Sequence, residues 1–248
     1  MIKRYKCIVE YNGSKYSGMQ KQGDLPTIQN EIEIAVSKLL NIKTEIDYAG
    51  RTDAGVHATN QVIHFDVNNQ RMSDEKRLLH GINFYLKNSD ISIKKVENVK
   101  DNFNSRFDAI DREYKYFIYQ DPSPSVFYRD RSLFMPYKIN LNAMKEASSF
   151  FIGKHDFSTF RSSECQGKSP IRTINSINIT TENSMIIIII SAKSFLHQMV
   201  RRIVGTMIIY GRGKMSPSEI NTMLDAKNPT ECKYIAPAHG LFLTNVRY

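Results

Sequence analysis

Apolar positions along this chain alternate between two spacings. Residues 4–11 interleave β-branched, aromatic and charged residues with a period of two and predict a strand. Ile28, Ile32, Ala35, Val36 and Leu39 recur at helical spacing behind Thr27, which predicts a helix to about residue 40 with Thr27 as its cap. Strand-like patterning returns at Ile46, Tyr48 and Ala49 and again over 62–67, on either side of a loop bounded by glycines. A second helix is predicted after Ser73, with Leu78, Leu79, Ile82 and Leu86 facing inward, and residues 91–99 predict a further strand.

The later part of the chain repeats that mixture. Residues 112–120 alternate strongly, with Tyr114, Tyr116 and Ile118 on one face and Phe117 and Tyr119 on the other. Asn140 is predicted to open a helix carrying Met144, Ala147 and Phe151 and closed by Gly153. Residues 172–181 and 184–193 predict two strands joined by a turn. The apolar run 185–190 within them is far too short to span a bilayer and reads as a buried strand. Residues 196–210 have helical spacing, Ser216-Pro217-Ser218-Glu219 is a capping box that opens a last helix, and residues 240–247 predict a closing strand. Strands and helices alternate with no Pro/Gly/Ser-rich linker, which predicts an α+β architecture with helices on a mainly antiparallel sheet. The boundary between two halves is placed near residues 101–106, giving 1–105 and 106–248.

Composition narrows the function classes. With 41% hydrophobic and 24% charged residues, the 248-residue chain is an ordinary globular one rather than a disordered one. Its 34 Lys and Arg against 25 Asp and Glu give a net charge of +9, which favours a polyanionic partner. Cys7, Cys165 and Cys232 are far apart, fit neither a zinc spacing nor a disulfide framework, and suit a reduced cytoplasmic setting. No metal and no membrane are expected. The first six residues lack the apolar core of a signal peptide.

The loop between the two early strands carries the chemistry. It reads Gly50-Arg51-Thr52-Asp53-Ala54-Gly55-Val56-His57-Ala58. Its glycines let the backbone turn sharply and come close to a ligand, and it holds a carboxylate beside a guanidinium. The same composition also suits a plain tight turn. No second carboxylate stands out near Asp53, which fits an isomerisation better than a glycoside hydrolysis needing an acid–base pair.

Six segments resemble, in order along the whole chain, the TruA family of tRNA pseudouridine synthases. They are Glu10-Tyr11-Asn12-Gly13-Ser14-Lys15-Tyr16-Ser17-Gly18, the Gly50–Ala58 loop with Asn60-Gln61-Val62-Ile63-His64-Phe65 after it, Phe103-Asn104-Ser105-Arg106-Phe107, Arg112-Glu113-Tyr114-Lys115-Tyr116, Phe195-Leu196-His197-Gln198-Met199-Val200-Arg201-Arg202-Ile203-Val204-Gly205, and Ala236-Pro237-Ala238-His239-Gly240-Leu241-Phe242-Leu243. One departure is visible: the family commonly has Trp after Gly18, where this chain has Met19.

The resemblance implies two similar ferredoxin-like α+β halves with a joined central sheet and a central cleft, working as a homodimer. It implies conversion of uridine to pseudouridine in the tRNA anticodon stem-loop, at positions 38, 39 or 40, with no cofactor. Asp53 is then the nucleophile, attacking either C1′ of the ribose or C6 of the ring. Arg51 enters the RNA stem and holds the target base out of the stack. Tyr114 stacks on the flipped uracil, and Arg201 is the arginine paired with Asp53. Phe103, Asn104, Ser105, Arg106 and Phe107, with Glu164, Cys165, Gln166, Gly167 and Lys168, correspond to RNA-contacting segments.

The residues around these add weaker expectations. Arg202 is expected to snorkel at the surface. Lys193, Arg201, Arg202, Arg212 and Lys214 are expected to form a phosphate-binding face. His57, His64 and His197 are expected to be structural rather than catalytic. Two other readings stay open on the residues: a catalytically silent tRNA-binding protein on the same scaffold, and a hydrolase of free nucleosides.

Overall fold

A computed structural model describes residues 2–68, 74–165, 167 and 169–248. The chain divides into two compact units, one of residues 1–110 with 243–248 and one of 111–242. Both are mixed α+β with mostly antiparallel strands, as the periodicity predicts.

The first unit runs β1 (Lys3–Tyr11), α1 (Ile28–Leu40), β2 (Asp47–Tyr48), β3 (His57–Val67), α2 (Glu75–Leu86) and β4 (Ile91–Val99). The strand order is β4-β1-β3 with β2 on the far side of β3, the arrangement of a ferredoxin-like split βαβ unit. β1 lies antiparallel to both β3 and β4, with Cys7 opposite Ile63 on one side and Val96 on the other. Thr27 caps α1 by accepting from the Asn30 N–H at 3.3 Å, and Asn41, at φ 54°, ends it. Ile28, Ile32, Ala35 and Val36 are buried and Leu39 is half-buried against α2, its methyls lying where a Cβ at Gly81 would stand. Ser73 lies outside the described residues; Asp74 caps α2 through its side chain. Leu78, Ile82 and Leu86 are buried in that helix and Leu79 is half-buried.

The second unit holds β5 (Asp111–Gln120), β6 (Leu133–Met135), α3 (Leu141–Ser149), β7 (Gly153–Asp156), β8 (Ile171–Glu182), β9 (Met185–Ala192), α4 (Met199–Gly211) and α5 (Pro217–Ala226). Its strand order is β5-β9-β8-β7, with β6 parallel to β5. Strands β5, β8 and β9 with helices α3 and α4 therefore repeat the connectivity and order of β1, β2 and β3 with α1 and α2. β10 (Leu241–Arg247) closes the chain, and from Leu243 onward it belongs to the first unit, beside β3.

Two helix boundaries differ from the sequence pattern. α3 stops at Ser149, where the Phe150 N–H bonds back to Ala147 and Ser148. Gly153 does not close it; its φ of 99° starts β7 instead. α4 begins at Met199 rather than near 196, because Gln198 takes a left-handed φ of 63° that no continuous helix accommodates. Leu196 is buried without being helical, which extends the apolar pattern past the true start. The capping box of α5 forms, the Glu219 carboxylate accepting from the Ser216 N–H at 2.7 Å.

Candidate active site

The Asp53 loop is braced from behind by the first motif of the chain. Tyr11, at the end of β1, places its buried hydroxyl 2.8 Å from the Thr52 hydroxyl. Gln61, fully buried on β3, donates from Nε2 to the Gly50 carbonyl at 2.9 Å and to the Tyr11 hydroxyl at 3.4 Å. Burial pushes the Tyr11 phenol up to about 12, so it remains a neutral donor and acceptor at any working pH.

The backbone around 13–19 interlocks with the loop. The Met19 N–H donates to the Thr52 carbonyl at 3.1 Å, the Gly55 N–H to the Tyr16 carbonyl at 3.3 Å, and the Gly13 N–H to His57 Nδ1 at 3.1 Å. Gly18 has a φ of 95°, and a Cβ there would stand 2.7 Å from the Thr52 carbonyl oxygen. A Cβ at Gly13 would overlap the Val56 carbonyl. Both glycines are required by close backbone approach. Met19, next to Gly18, is fully buried beneath this contact. Within the loop, the Val56 N–H bonds to the Asp53 carbonyl at 3.1 Å, a turn that leaves Asp53 half-buried.

Arg51 is exposed at the front of the loop and hydrogen-bonds the Tyr48 phenol. Burial raises that phenol's pKa, while Arg51 and Arg106 both pull it down. The structure thus brings Arg51 and the 103–107 segment to one tyrosine. In that segment Ser105 is fully buried and Phe103 and Asn104 are half-buried, while Arg106 and Phe107 are exposed. Phe107 is 75% exposed, with the Arg106 guanidinium 5.5 Å from its ring centre.

In the second unit, Tyr114 lies on the buried face of β5, opposite Ile190, and is 7% exposed. Its ring meets Phe195 edge-on at 5.3 Å and 89°. Two residues along, Tyr116 is a core tyrosine: its hydroxyl donates to the Pro237 carbonyl at 3.0 Å, and Gly240 packs directly on its ring. Burial pushes the Tyr116 phenol far up, against the opposing pull of Arg201. Residues 161–165 and 167 reach the same neighbourhood as Phe195. The Ser162 N–H bonds to the His197 carbonyl at 3.0 Å, and Gly167 lies against the Leu196 side chain. Glu164 is exposed and Cys165 half-buried; Gln166 and Lys168 lie outside the described residues.

Arg201 is half-buried on α4 and held twice to one residue. Its Nε donates to the Ala236 carbonyl at 2.9 Å, and its own carbonyl accepts the Ala236 N–H at 3.0 Å. Gly205, one turn on, permits this contact, since a Cβ there would stand 2.6 Å from the Tyr234 carbonyl oxygen.

Arg202 departs from the sequence expectation. It is 9% exposed, and its Nη1 donates to the carbonyls of Cys232, at 2.7 Å, and Pro229, at 3.1 Å. Backbone oxygens of the 229–232 loop satisfy a charge that snorkelling was expected to keep in water, so Arg202 does not belong to a phosphate-binding face. Lys193 and Lys214 are exposed, and Arg212 stacks on Tyr137 at 4.6 Å. His57 and His64 are buried and hydrogen-bonded, while His197 is exposed.

The bracing residues Tyr11, Thr52 and Gln61, and the Ala236 clamp, were missed by sequence reasoning, although all four lie inside or beside the quoted motifs. A cavity of about 240 Å³ in the first unit is lined by Arg4, Asp47, His64 and Asp66 among others, and Asp53 does not line it. Among the described residues no cluster of His, Cys, Asp and Glu is placed to hold a metal ion, and no helix is long and apolar enough to cross a membrane.

Comparison with known proteins gives one consistent answer. Residues 7–108 and 147–248 match the family described as tRNA pseudouridine synthase. The chain is 40% identical over 247 residues to tRNA pseudouridine synthase A of Anaplasma phagocytophilum (strain HZ), covering 99% of this chain and all of that one. It is 40% identical over 245 residues to the protein of the same name from Bartonella henselae, covering 99% of each. A third such protein, from Neorickettsia sennetsu, is 41% identical over 246 residues, covering 99% of this chain and all of its own.

Proposed function

Because this chain belongs to the tRNA pseudouridine synthase family, of the TruA type, we propose that it isomerises uridine in the tRNA anticodon stem-loop, at positions 38, 39 or 40, with Asp53 as the nucleophile. The observation that carries the nucleophile assignment is the bracing behind the loop. Tyr11, Thr52, Gln61 and the backbone of 13–19 together fix the turn on which Asp53 sits. A plain surface turn has no need of two glycines forced by backbone contact, or of a buried hydroxyl pair.

The chemistry asked of the residues is modest. The N1–C1′ bond breaks and a C5–C1′ bond forms, with no net oxidation, and the C5 proton is lost. In one course the Asp53 carboxylate attacks C1′ and uracil leaves with the N1–C1′ electron pair. The ring then turns, and C5 displaces the carboxylate. In the other course the carboxylate adds to C6 first. Tyr114 offers a ring face to the extruded uracil, since a base must leave its stack before C1′ or C5 can be reached. Arg201 supplies the cation paired with the Asp53 carboxylate. Arg51 with the 103–107 segment in the first unit, and the 164–168 segment in the second, contact the RNA. The protein is proposed to act as a cytoplasmic homodimer.

Incubation of the protein with a tRNA transcript carrying tritium at uridine C5 tests the reading. Tritium release with pseudouridine mapped to the anticodon stem-loop supports it. Binding without release would favour a silent tRNA-binding protein, and free uracil would indicate a hydrolase.

A further inference from the structure

The 103–107 segment is fastened to the body of the first unit by three side chains remote from Asp53. Arg4 Nη1 donates to the Phe103 carbonyl at 2.8 Å. The Tyr248 hydroxyl donates to the Ser105 carbonyl at 2.8 Å. His64, buried on β3, meets Ser105 twice: its Nδ1 lies 2.9 Å from the Ser105 hydroxyl and accepts the Ser105 backbone N–H at 3.3 Å. The Phe103 ring covers the imidazole edge-on at 5.9 Å and packs on Tyr248 at 5.0 Å. Beyond this anchor the Asn104 side-chain oxygen accepts the N–H groups of Arg106 and Phe107, at 2.9 and 3.0 Å. That turn places both residues at the surface.

The hydrogen bonds fix the tautomer. A backbone N–H can only donate, so Nδ1 presents its lone pair and the ring proton sits on Nε2. Nε2 in turn faces Asp47 Oδ2 at 3.5 Å.

We propose that His64, in its neutral Nε2–H form, is the positioning residue that locks the 103–107 segment in the shape presenting Arg106 and Phe107 to tRNA, and that protonation at Nδ1 releases it. The proposal rests on the reading of that segment as an RNA contact. A proton on Nδ1 would turn to the Ser105 hydroxyl oxygen at 2.9 Å and leave the buried Ser105 amide without its acceptor.

The groups facing His64 come from every element around it: Arg4 on β1, Asp47 on β2, Asp66 on β3 itself, and Asp108 after the segment. The three carboxylates favour the imidazolium, while burial and Arg4 oppose it. Burial is the largest effect and holds the imidazole below its ordinary 6.5. The lock is therefore closed at neutral pH and opens on the acid side. The sign agrees with linkage: below the ordinary value the unfolded chain takes the proton more readily, so the closed form loses stability as pH falls toward the depressed value.

Two substitutions separate the lock from simple packing. His64→Asn puts an amide oxygen where the Nδ1 lone pair stood and cannot titrate. His64→Gln is one methylene longer and cannot place an acceptor there. For wild type, tRNA affinity should fall as pH drops below neutral through the depressed value of His64, by about tenfold once the imidazole is protonated, the loss of one buried hydrogen bond. Turnover at saturating tRNA should change little. H64N should rescue the affinity at neutral pH and flatten its pH dependence, and H64Q should bind weakly across the same range.

Amide hydrogen exchange across 103–107, measured without RNA and corrected for intrinsic rates, should rise on acidification in wild type and stay flat in H64N. Affinity in H64N that still falls on acidification, or wild-type affinity in H64Q, overturns the proposal. So does flat exchange in wild type, a readout that needs no variant to fold. Absence of pseudouridine in every sample would refute the functional reading, while the exchange experiment would still judge the lock.

Discussion

Arg201 and Ala236 exchange two hydrogen bonds, the arginine Nε donating at 2.9 Å and its carbonyl accepting at 3.0 Å. A side chain and a backbone are thereby clamped to the same partner. The clamp fixes the inner edge of the guanidinium, while the two Nη groups carry its other four donors. It also joins α4 to the segment leading into β10, and it requires Gly205 at the point of closest approach. An arginine so held is aimed rather than merely present.

Arg201→Lys keeps the charge but cannot reproduce the Nε bond. The Ala236 carbonyl then loses its side-chain donor, which should cost about 1.5–3 kcal/mol for a hydrogen bond to a charged group. Both the thermal midpoint and the single-turnover rate should fall. A variant with wild-type turnover would show that charge alone suffices at this position.

Asp53→Asn preserves size and shape and removes the nucleophilic charge. Pseudouridine formation should be abolished while tRNA affinity stays near normal, because binding to a polyanion is spread over many phosphate contacts. The comparison is single-turnover rate against binding constant on one folded preparation, with mass spectrometry to exclude deamidation. Substantial turnover would remove Asp53 from the mechanism.

Tyr114→Phe keeps the ring that meets Phe195 and deletes the hydroxyl. A stacking role predicts a modest fall in the chemical step, whereas proton transfer through the phenol predicts a fall of roughly 10²–10⁴-fold. Single-turnover kinetics at saturating tRNA decide between the two.

Gly18→Ala meets strain and a clash together: a φ of 95° and a Cβ 2.7 Å from the Thr52 carbonyl oxygen. Gly23→Ala, at φ 50° with nothing within 4 Å, meets only the backbone penalty. The first should lose about 1–3 kcal/mol or more of stability and most of its turnover. The second should lose about 1–2 kcal/mol and keep its activity. Equal activity in the two variants would mean that the 13–19 segment does not position the Asp53 loop.

Replacing Arg212 and Lys214 by Ala should weaken binding to all tRNAs alike and flatten the dependence of log affinity on log salt, through fewer released counterions. Arg202 is excluded from this set by its buried carbonyl partners. An unchanged salt slope would take Arg212 and Lys214 off the RNA face as well.

Local pattern in the sequence made the long elements legible. The β4 strand spans the expected residues, and α1, β5 and the turn between β8 and β9 lie within a residue or two of expectation. Strands β2, β6 and β7 have two to four residues each, too few to display a period. The start of α4 depends on one left-handed residue, Gln198, whose neighbours continue the helical spacing. The Asp53 loop stood out in the sequence because its glycines and charges are adjacent in the chain. Its support did not, because Tyr11 reaches Thr52 across 41 residues and Gln61 reaches Tyr11 across 50. Arg202 was misread for a related reason: the carbonyls that accept its hydrogen bonds come from a loop about 30 residues downstream, and a helical wheel sees only the helix.

The return of residues 243–248 to the first unit sets the order in which the protein can be made. β3 must wait for its neighbour β10: Asn60 donates to Asn245 at 3.3 Å across 185 residues, and the Ile110 N–H bonds to the Arg247 carbonyl. Ser105, in the proposed lock, waits likewise for Tyr248. During synthesis the N-terminal half therefore emerges with an exposed strand edge and a 103–107 segment that lacks its Tyr248 anchor, and it stays so until all of 111–242 has been translated. Nascent chains paused short of residue 243 should carry a formed Asp53 loop but a protease-sensitive 103–107 segment, so the proposed nucleophile is in place before the proposed RNA contact is secured.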